Sequence, residues 1–218
     1  MMNVPAGAPP YGLAIFDFDG TLADSMSRFG EHVNRAADRF RFGRIDDERL
    51  ERFRDLEARA IVSELGVPLW KLPMIATFMR SLSASEPSPL FAGVPELLRH
   101  LRARSVVVAI VSSNSEQNVR RALGPPLTDA IACFECGVSI FGKASRLRRV
   151  VRRIAIPPER AIYVGDELRD ADAARAARIA FGAVTWGYNR EEALRARSPS
   201  HVFSSFDEIA RRVAGAEA

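Results

Sequence analysis

From residue 94 onward, short β-branched runs alternate with amphipathic helical patterns, and this alternation limits the possible folds more than any other feature. The run SVVVAIV at residues 105–111 has no polar face, which is typical of a strand covered by helices on both sides. Further short apolar runs, DAIACFE, RAIYVG and AFGAVTW, each follow a helical pattern. Strands that alternate with helices are joined by right-handed crossovers into a parallel sheet. The sequence therefore predicts an α/β fold with a parallel sheet flanked by helices.

A long helical stretch precedes this alternation. The apolar residues of positions 25–84 recur every three or four residues and show no convincing strand pattern. Within this stretch the pattern of residues 46–65 is continuous, and it predicts one helix that Asp46 or Asp47 caps and Gly66 ends. We therefore expect this part of the chain to be entirely helical.

The position of the helical stretch predicts how the chain divides. A strand is predicted at residues 12–16, before the helices, and the proline-containing segment SEPSPLFAGVP follows them as a linker. The expected division is an α/β core of residues 1–24 and 88–218 and an inserted helical cap of residues 25–87. Since ligands of open parallel sheets bind at the carboxyl ends of the strands, an insertion after the first strand is expected to cover the site.

Composition and charge exclude several classes of protein. The chain has 218 residues, 47% of them hydrophobic, and its formal net charge is +4. Its arginines are scattered and alternate with acids, which indicates a solvated surface rather than a nucleic-acid interface. No apolar run reaches the roughly 18 residues of a membrane span, and the N-terminus does not resemble a signal peptide. We expect a cytoplasmic protein, a monomer or homodimer, with no nucleic-acid or membrane partner.

Cys133 and Cys136 form a lone C-x-x-C pair. A second pair is missing, and no histidine lies at the spacing of a zinc ligand. This pattern favours reduced thiols on a buried strand.

Polar residues with catalytic potential follow the predicted strands. They are Asp17 and Asp19 after the first strand, Ser112 after VVVAIV, Lys143 after VSIFG, and Asp166 with Asp170 after AIYVG. If the sheet is parallel, these groups meet at one edge. Clustered carboxylates repel one another unless a cation holds them, and carboxylate and carbonyl oxygens suit Mg²⁺. The lysine, the serine hydroxyl and the backbone amides of the turns would complete a cradle for a phosphate dianion.

The DFDG stretch suggests covalent phosphoryl chemistry. An aspartate that faces a bound phosphate can attack phosphorus, and a second acid can protonate the leaving oxygen and later activate water. Asp17 and Asp19 are two residues apart, so that Asp19 can stand across the phosphate from Asp17. Gly20 allows the chain to turn away sharply and make room for the ligand.

The motifs DFDGT, VSSN, Lys143 at a helix start and GDELRD, in this order, resemble the haloacid dehalogenase-like (HAD) hydrolase superfamily. The segment TWGYN at residues 185–189 adds a resemblance to its phosphoglycolate phosphatase-like members. The resemblance implies a Rossmann-like core, a helical cap, and a Mg²⁺-dependent phosphatase that acts on a small phosphorylated metabolite such as phosphoglycolate.

The resemblance also implies a role for each strand-end residue. Asp17 would be the nucleophile and Asp19 the general acid and base. The metal ligands would be Asp17, Asp19 through its backbone carbonyl, and Asp166, with support from Asp170. The phosphate-binding groups would be Gly20, Ser112, Ser113 and Lys143.

Two other functions stay open at the level of sequence. A sugar phosphomutase of the β-phosphoglucomutase type is expected to have a cap histidine about ten residues after the second Asp, where this chain has Phe29, with His32 three residues later. A binding protein that kept the motifs would hold a phospholigand without turnover. A dehalogenase would not need Asp19, whose presence favours phosphoryl chemistry.

The residues that select the substrate are not evident from sequence. Arg28, His32, Arg35 and Arg39 have helical spacing, and a solvated basic stripe is the favoured interpretation. The segment 186–188, Trp-Gly-Tyr, is open to two interpretations, a substrate-edge loop or ordinary packing.

Overall fold

The computed structural model describes residues 9–137 and 142–215, and its centre is a parallel six-stranded sheet. The strand order is β3-β2-β1-β4-β5-β6, with every pair parallel. The strands are β1 Leu13–Phe16, β2 Val107–Val111, β3 Ile131–Glu135, β4 Ala161–Gly165, β5 Ala180–Val184 and β6 His201–Phe203. The predicted α/β fold is therefore confirmed.

Ten helices accompany the sheet in the described part of the chain. Between β1 and β2 lie α1 Met26–Phe40, α2 Asp47–Phe53, α3 Ala58–Glu64, α4 Leu72–Ser85 and α5 Val94–Ala103. The others are α6 Glu116–Thr128, kinked at Gly124, α7 Lys143–Ile154, α8 Leu168–Ala177, α9 Glu191–Arg195 and α10 Phe206–Ala214. Short 3₁₀ turns occur at Leu69–Lys71 and Pro158–Arg160. Residues 138–141 of the strand VSIFG, which the sequence predicts before Lys143, lie outside the described residues. Residues 1–8 and 216–218 also lie outside them.

Alternate residues of the strands supply two hydrophobic cores, one on each face of the sheet. On β1, Ala14 and Phe16 join the core built with α5 and α10, while Leu13 and Ile15 join the core built with α7 and α8. All four side chains are fully buried. Because both faces are covered, β1, β2 and β5 contain only apolar residues, whereas β3 ends in Glu135 and β6 begins with His201.

The helices α1 to α3 and the segments between them have a smaller core of their own around Ile45, Phe53 and Leu65. No single helix in the described ranges is long and apolar enough to cross a membrane. Two consecutive helical segments, Ala58–Glu64 and Leu69–Ser85, are together long and apolar enough, but they are bent by 112° relative to each other. Cys133 is buried on β3, Cys136 follows it half-buried, and both are free thiols.

The helix predicted over residues 46–65 is in fact two helices, α2 and α3. Asp46 caps α2, since its carboxylate accepts a hydrogen bond from the Arg49 amide at 2.8 Å. The chain then turns at residues 54–57, where Asn189 of the core donates to the carbonyl oxygens of Arg54, at 2.7 Å, and Leu56, at 3.3 Å. This contact with the core breaks the helix, although the apolar spacing continues through it.

Candidate active site

The carboxyl ends of the central strands bring the predicted acids together. β1 pairs with β2 on one side and β4 on the other, so that Asp17 follows one strand and Asp166 its neighbour. The carboxylates of Asp17, Asp166 and Asp170 offer oxygen atoms that all lie within 4.8 Å of one another. All three residues are buried. The convergence expected from a parallel sheet is thus present.

Lys143 is the cation of this cluster. It is the first residue of α7, it is buried, and its Nζ donates to Asp17 Oδ2 and, at 2.6 Å, to Asp170 Oδ1. Tyr163 on β4 also donates its hydroxyl to Asp170 Oδ1, at 3.2 Å. Asp170 has a further role as a capping residue, since its other oxygen accepts from the Glu167 amide at 3.2 Å. The lysine therefore links two of the three acids directly.

Asp166 is fixed by groups from two distant loops. Thr21 donates its hydroxyl to Asp166 Oδ1 at 2.7 Å, and the amide of Tyr188 donates to Oδ2 at 2.8 Å. Gly20 and Gly187 leave the space that this carboxylate fills: a Cβ at either position would lie within 2.2 Å of an Asp166 side-chain atom. Gly20 also adopts φ of 75°, a left-handed conformation that the sharp turn requires.

Asp19 is held apart from the other acids. Asn114, after β2, donates its amide to both carboxylate oxygens of Asp19, at 3.2 and 3.0 Å. Ser112 is fully buried, and its hydroxyl accepts a hydrogen bond from the backbone N–H of Asn114 at 3.1 Å. Ser115, rather than Ser112, caps α6 by accepting from the Asn118 amide. The Ser112 hydroxyl is thus not used as the helix cap.

Burial is the largest cause of the pKa shifts of Asp17 and Asp19. It raises the pKa of Asp17 to about 7 although the Lys143 ammonium opposes this shift. Burial raises the pKa of Asp19 to about 6, against the hydrogen bond from Asn114. Burial also raises the pKa of Asp166 well above its ordinary value, with Glu167 and Asp17 as further causes. The neighbouring carboxylates outweigh burial and raise the pKa of Lys143.

The donor set of the cluster fits a divalent cation. When ionised, the three buried carboxylates outnumber the one ammonium group that contacts them, and the raised pKa of Asp17 and of Asp166 reflects the cost of this negative charge in a poorly solvated place. Hard oxygen ligands of this kind suit Mg²⁺ or Ca²⁺, whereas zinc sites favour nitrogen and sulfur. Asp19 is not part of the carboxylate triad, because its side chain is bound to Asn114.

A cavity of about 330 Å³ opens beside these acids. Core residues Asp19, Ser113, Asn114 and Asp166 line one end of it, and α1, α3 and α4 line the other. Residues of the inserted helices and residues that follow the strands therefore line the same cavity, and the role of the insertion as a cover stays a prediction.

The basic positions of α1 separate into two groups. Arg28, Arg35 and Arg39 are exposed, in agreement with a solvated stripe. His32 is buried, lines the cavity and lies 3.2 Å from Glu86 Oε2, so that it does not belong to that stripe.

Several site residues had no role assigned from sequence. Thr21 and Asn114 stood in the quoted motifs DFDGT and VSSN but carried no chemical signal of their own. The TWGYN segment holds the loop after β4 in place. The backbone N–H of Tyr188 donates to the Asp166 carboxylate, and the side-chain oxygen of Asn189 accepts from the backbone N–H of Leu168 at 2.9 Å. Tyr188 also lines the cavity and Trp186 packs against the hydrophobic core, whereas contact of this loop with a substrate stays a prediction.

Replacing Gly187 with alanine is expected to destabilise the site. The new Cβ would lie 2.1 Å from the Cβ of Asp166, so that Asp166 must shift, at a cost of about 1–3 kcal/mol of unfolding free energy. The increase in Tm on addition of Mg²⁺ should also shrink. Gly12→Ala is the control, because its Cβ meets nothing closer than 3.5 Å. Equal Tm and equal Mg²⁺ response in the two variants would contradict this account of Gly187.

Comparison with known proteins agrees with this geometry. The family described as haloacid dehalogenase-like hydrolase matches residues 14–184. A phosphoglycolate phosphatase of Synechococcus elongatus is 35% identical over 202 residues, which cover 91% of this chain and 95% of that protein. Phosphoglycolate phosphatase 1 of Pseudomonas aeruginosa is 26% identical over 216 residues, which cover 90% of this chain and 78% of that protein.

The fold is also that of solved structures. A haloacid dehalogenase-like hydrolase from Bacteroides fragilis has a TM-score of 0.77 at 23% identity, and the match covers 91% of this chain and 99% of that one. The family match extends over the strand-end motifs, the inserted helices and the first five strands. This chain therefore belongs to the haloacid dehalogenase-like hydrolase family, within which it resembles the phosphoglycolate phosphatases.

Proposed function

We propose that this protein hydrolyses the phosphate monoester of a small metabolite through a phosphorylated Asp17, with Mg²⁺ as its cofactor. Membership of the family and its phosphatase relatives make it a phosphoric monoester hydrolase. The observation that supports the mechanism best is the buried cluster of Asp17, Asp166 and Asp170 with Lys143. It combines a carboxylate nucleophile with the positive charge that a phosphate dianion needs.

In this proposal the two parts of the chain have different tasks. The core, residues 1–24 and 88–218, carries the chemistry, and the cap, residues 25–87, encloses the organic part of the substrate. The shared cavity supports this division, because residues of both parts line it.

Mg²⁺ would be held by the carboxylates of Asp17 and Asp166 and the backbone carbonyl of Asp19. Asp170 would support this site through its contact with Lys143. When bound, the ion supplies positive charge to the phosphate oxygens and to the entering carboxylate. Lys143 would neutralise a further phosphate oxygen, while Ser112, Ser113 and the turn at Gly20 would donate hydrogen bonds to the rest.

The reaction then proceeds in two displacements. The carboxylate of Asp17 attacks phosphorus, the bond from phosphorus to the ester oxygen breaks, and Asp19 gives its proton to the departing oxygen. Asp19, now a carboxylate, takes a proton from water as the water oxygen attacks phosphorus, which releases inorganic phosphate and restores Asp17. A pKa of about 6 for Asp19 lies close enough to neutral pH for both transfers.

A panel of phosphorylated metabolites, with phosphoglycolate among them, tests the proposal. We expect inorganic phosphate to be released in the presence of Mg²⁺, release to stop when the ion is chelated, and activity to return when Mg²⁺ is restored. Release that continues after chelation would contradict the metal requirement. An isomerised sugar phosphate in place of inorganic phosphate would indicate a mutase, and binding without turnover would indicate a phospholigand-binding protein.

A further inference from the structure

The cavity beside the acids is chemically two-sided. Its core end presents Asp19, Asn114 and Asp166, the groups proposed to act on the phosphate. Its cap end is lined mainly by aliphatic and aromatic side chains from three helices, among them Phe29, Val33, Ile61, Leu65, Ile75 and Met79. The two ends belong to one continuous space of about 330 Å³, within the range of small-molecule sites.

Several charged groups along this cavity are paired, whereas the Nε of Arg169 and the hydroxyl of Tyr188 are buried there without a hydrogen-bond partner among the described residues. His32 contacts Glu86 at 3.2 Å, and Arg169 donates to Glu167 Oε1 at 2.5 Å. Arg80 also lines the cavity: its guanidinium donates to the Thr77 hydroxyl at 3.1 Å, and its backbone carbonyl accepts from the side chain of Asn118 at 3.0 Å. A second anionic group on the substrate that lay against the aliphatic and aromatic side chains of the cap end would have no partner there. Burial of an ion without a partner is strongly unfavourable.

Resting on the proposed function, we infer that the substrate carries an uncharged apolar group of several carbon atoms, and that this group binds in the cap end of the cavity. The phosphate lies against the core acids and the apolar group lies between Phe29 of α1, Ile61 of α3 and Ile75 of α4. Binding of this group removes its apolar surface and that of the cavity wall from water. It also gives the side chains that line the cavity packing contacts that they lack when the cavity is empty. Phosphoglycolate, whose second group is a small carboxylate, would not fill this apolar part of the cavity.

A series of unbranched alkyl phosphates measures this preference. With ethyl, butyl and hexyl phosphate at saturating Mg²⁺, kcat/KM should rise about fourfold for each added methylene until the cavity is full. Hexyl phosphate should exceed phosphoglycolate. The corresponding alkylphosphonates, which cannot be hydrolysed, should show the same trend in Kd by calorimetry.

Ala76→Phe narrows the cavity without touching the core residues. Ala76 lies on α4 and lines the cavity, so the variant should lose about tenfold in kcat/KM for hexyl phosphate and much less for ethyl phosphate. Met74→Phe is the matched control, because Met74 on the same helix is 44% exposed. It should behave as the wild type with every substrate.

The outcomes separate this inference from the proposed function. If alkyl phosphates are hydrolysed but kcat/KM is flat or highest for phosphoglycolate, the apolar subsite is refuted and the phosphatase stands. If no monoester is hydrolysed, the proposed function fails, and the phosphonate series alone decides: a rising affinity supports the apolar subsite and a flat one refutes it. Ala76→Phe with kinetics identical to the wild type on hexyl phosphate would also refute it.

Discussion

Asp17→Asn is expected to reduce phosphate release by about 10⁴-fold or more, since an amide cannot replace the carboxylate nucleophile. Wild-type protein quenched with acid during turnover should carry a phosphoryl group on the peptide that contains Asp17, and the variant should carry none. Mass spectrometry of the quenched peptides measures this. Substantial turnover by the variant would rule out the covalent mechanism.

The same variant should remain folded. Because burial raises the pKa of Asp17 to about 7, ionisation of this group opposes folding in metal-free protein once the pH exceeds the ordinary aspartate value near 4. Wild-type stability should therefore fall between about pH 4 and 7, and Asp17→Asn should reduce that fall. We expect the Tm of metal-free Asp17→Asn at pH 8 to equal or exceed that of the wild type. Asp129→Asn, at an exposed position, is the control for both activity and Tm.

Lys143→Met is expected to cost about 3–5 kcal/mol of unfolding free energy, because it leaves Asp17 and Asp170 buried without their shared ammonium group. Phosphate release should be lost as well. The control is Lys71→Met, which removes the only other lysine of the chain, and whose Nζ donates to the Phe40 carbonyl at 2.7 Å. It should cost about 1 kcal/mol. Thermal and denaturant unfolding measure both values.

A second substitution separates stability from chemistry at this position. Adding Asp170→Asn to Lys143→Met removes one of the two stranded carboxylates, and it should recover part of the lost stability without recovering turnover. If the double variant regained activity, Lys143 would have only a structural role. If Lys143→Met were as stable as Lys71→Met, the charge cluster would not depend on this lysine.

The regular elements of this protein could be predicted from the sequence because their signals are local. The run at β2 lacks a polar face, and in the fold it is covered on both sides by helices. The meeting of Asp17 with Asp166 was equally predictable, although 149 positions of chain numbering separate residue 17 from residue 166. Parallel strands end at one edge of their sheet, so residues that follow two such strands become neighbours.

Other features depend on contacts between distant segments. The spacing of apolar residues continues through residues 54–57, yet the helix breaks there because Asn189 binds the carbonyls of Arg54 and Leu56. In the same way Asn114 holds Asp19, and the Tyr188 amide holds Asp166. The roles assigned to the site residues and the division into core and cap remain predictions, which the variants above test.

The sequence by itself thus determined the alternation of strands and helices after residue 94, the positions of Asp17 and Asp166 after neighbouring strands, and that of Lys143 at the start of a helix. Only the tertiary structure decided which partner each acid takes, where the cap helices break, and that the cavity is apolar on its cap side. The spacing of apolar residues and short motifs depend only on residues close together in the sequence, so they predict individual strands and helices. The partners of a buried carboxylate and the lining of a cavity come from loops and helices far apart in the chain, whose approach is fixed only when the whole core packs.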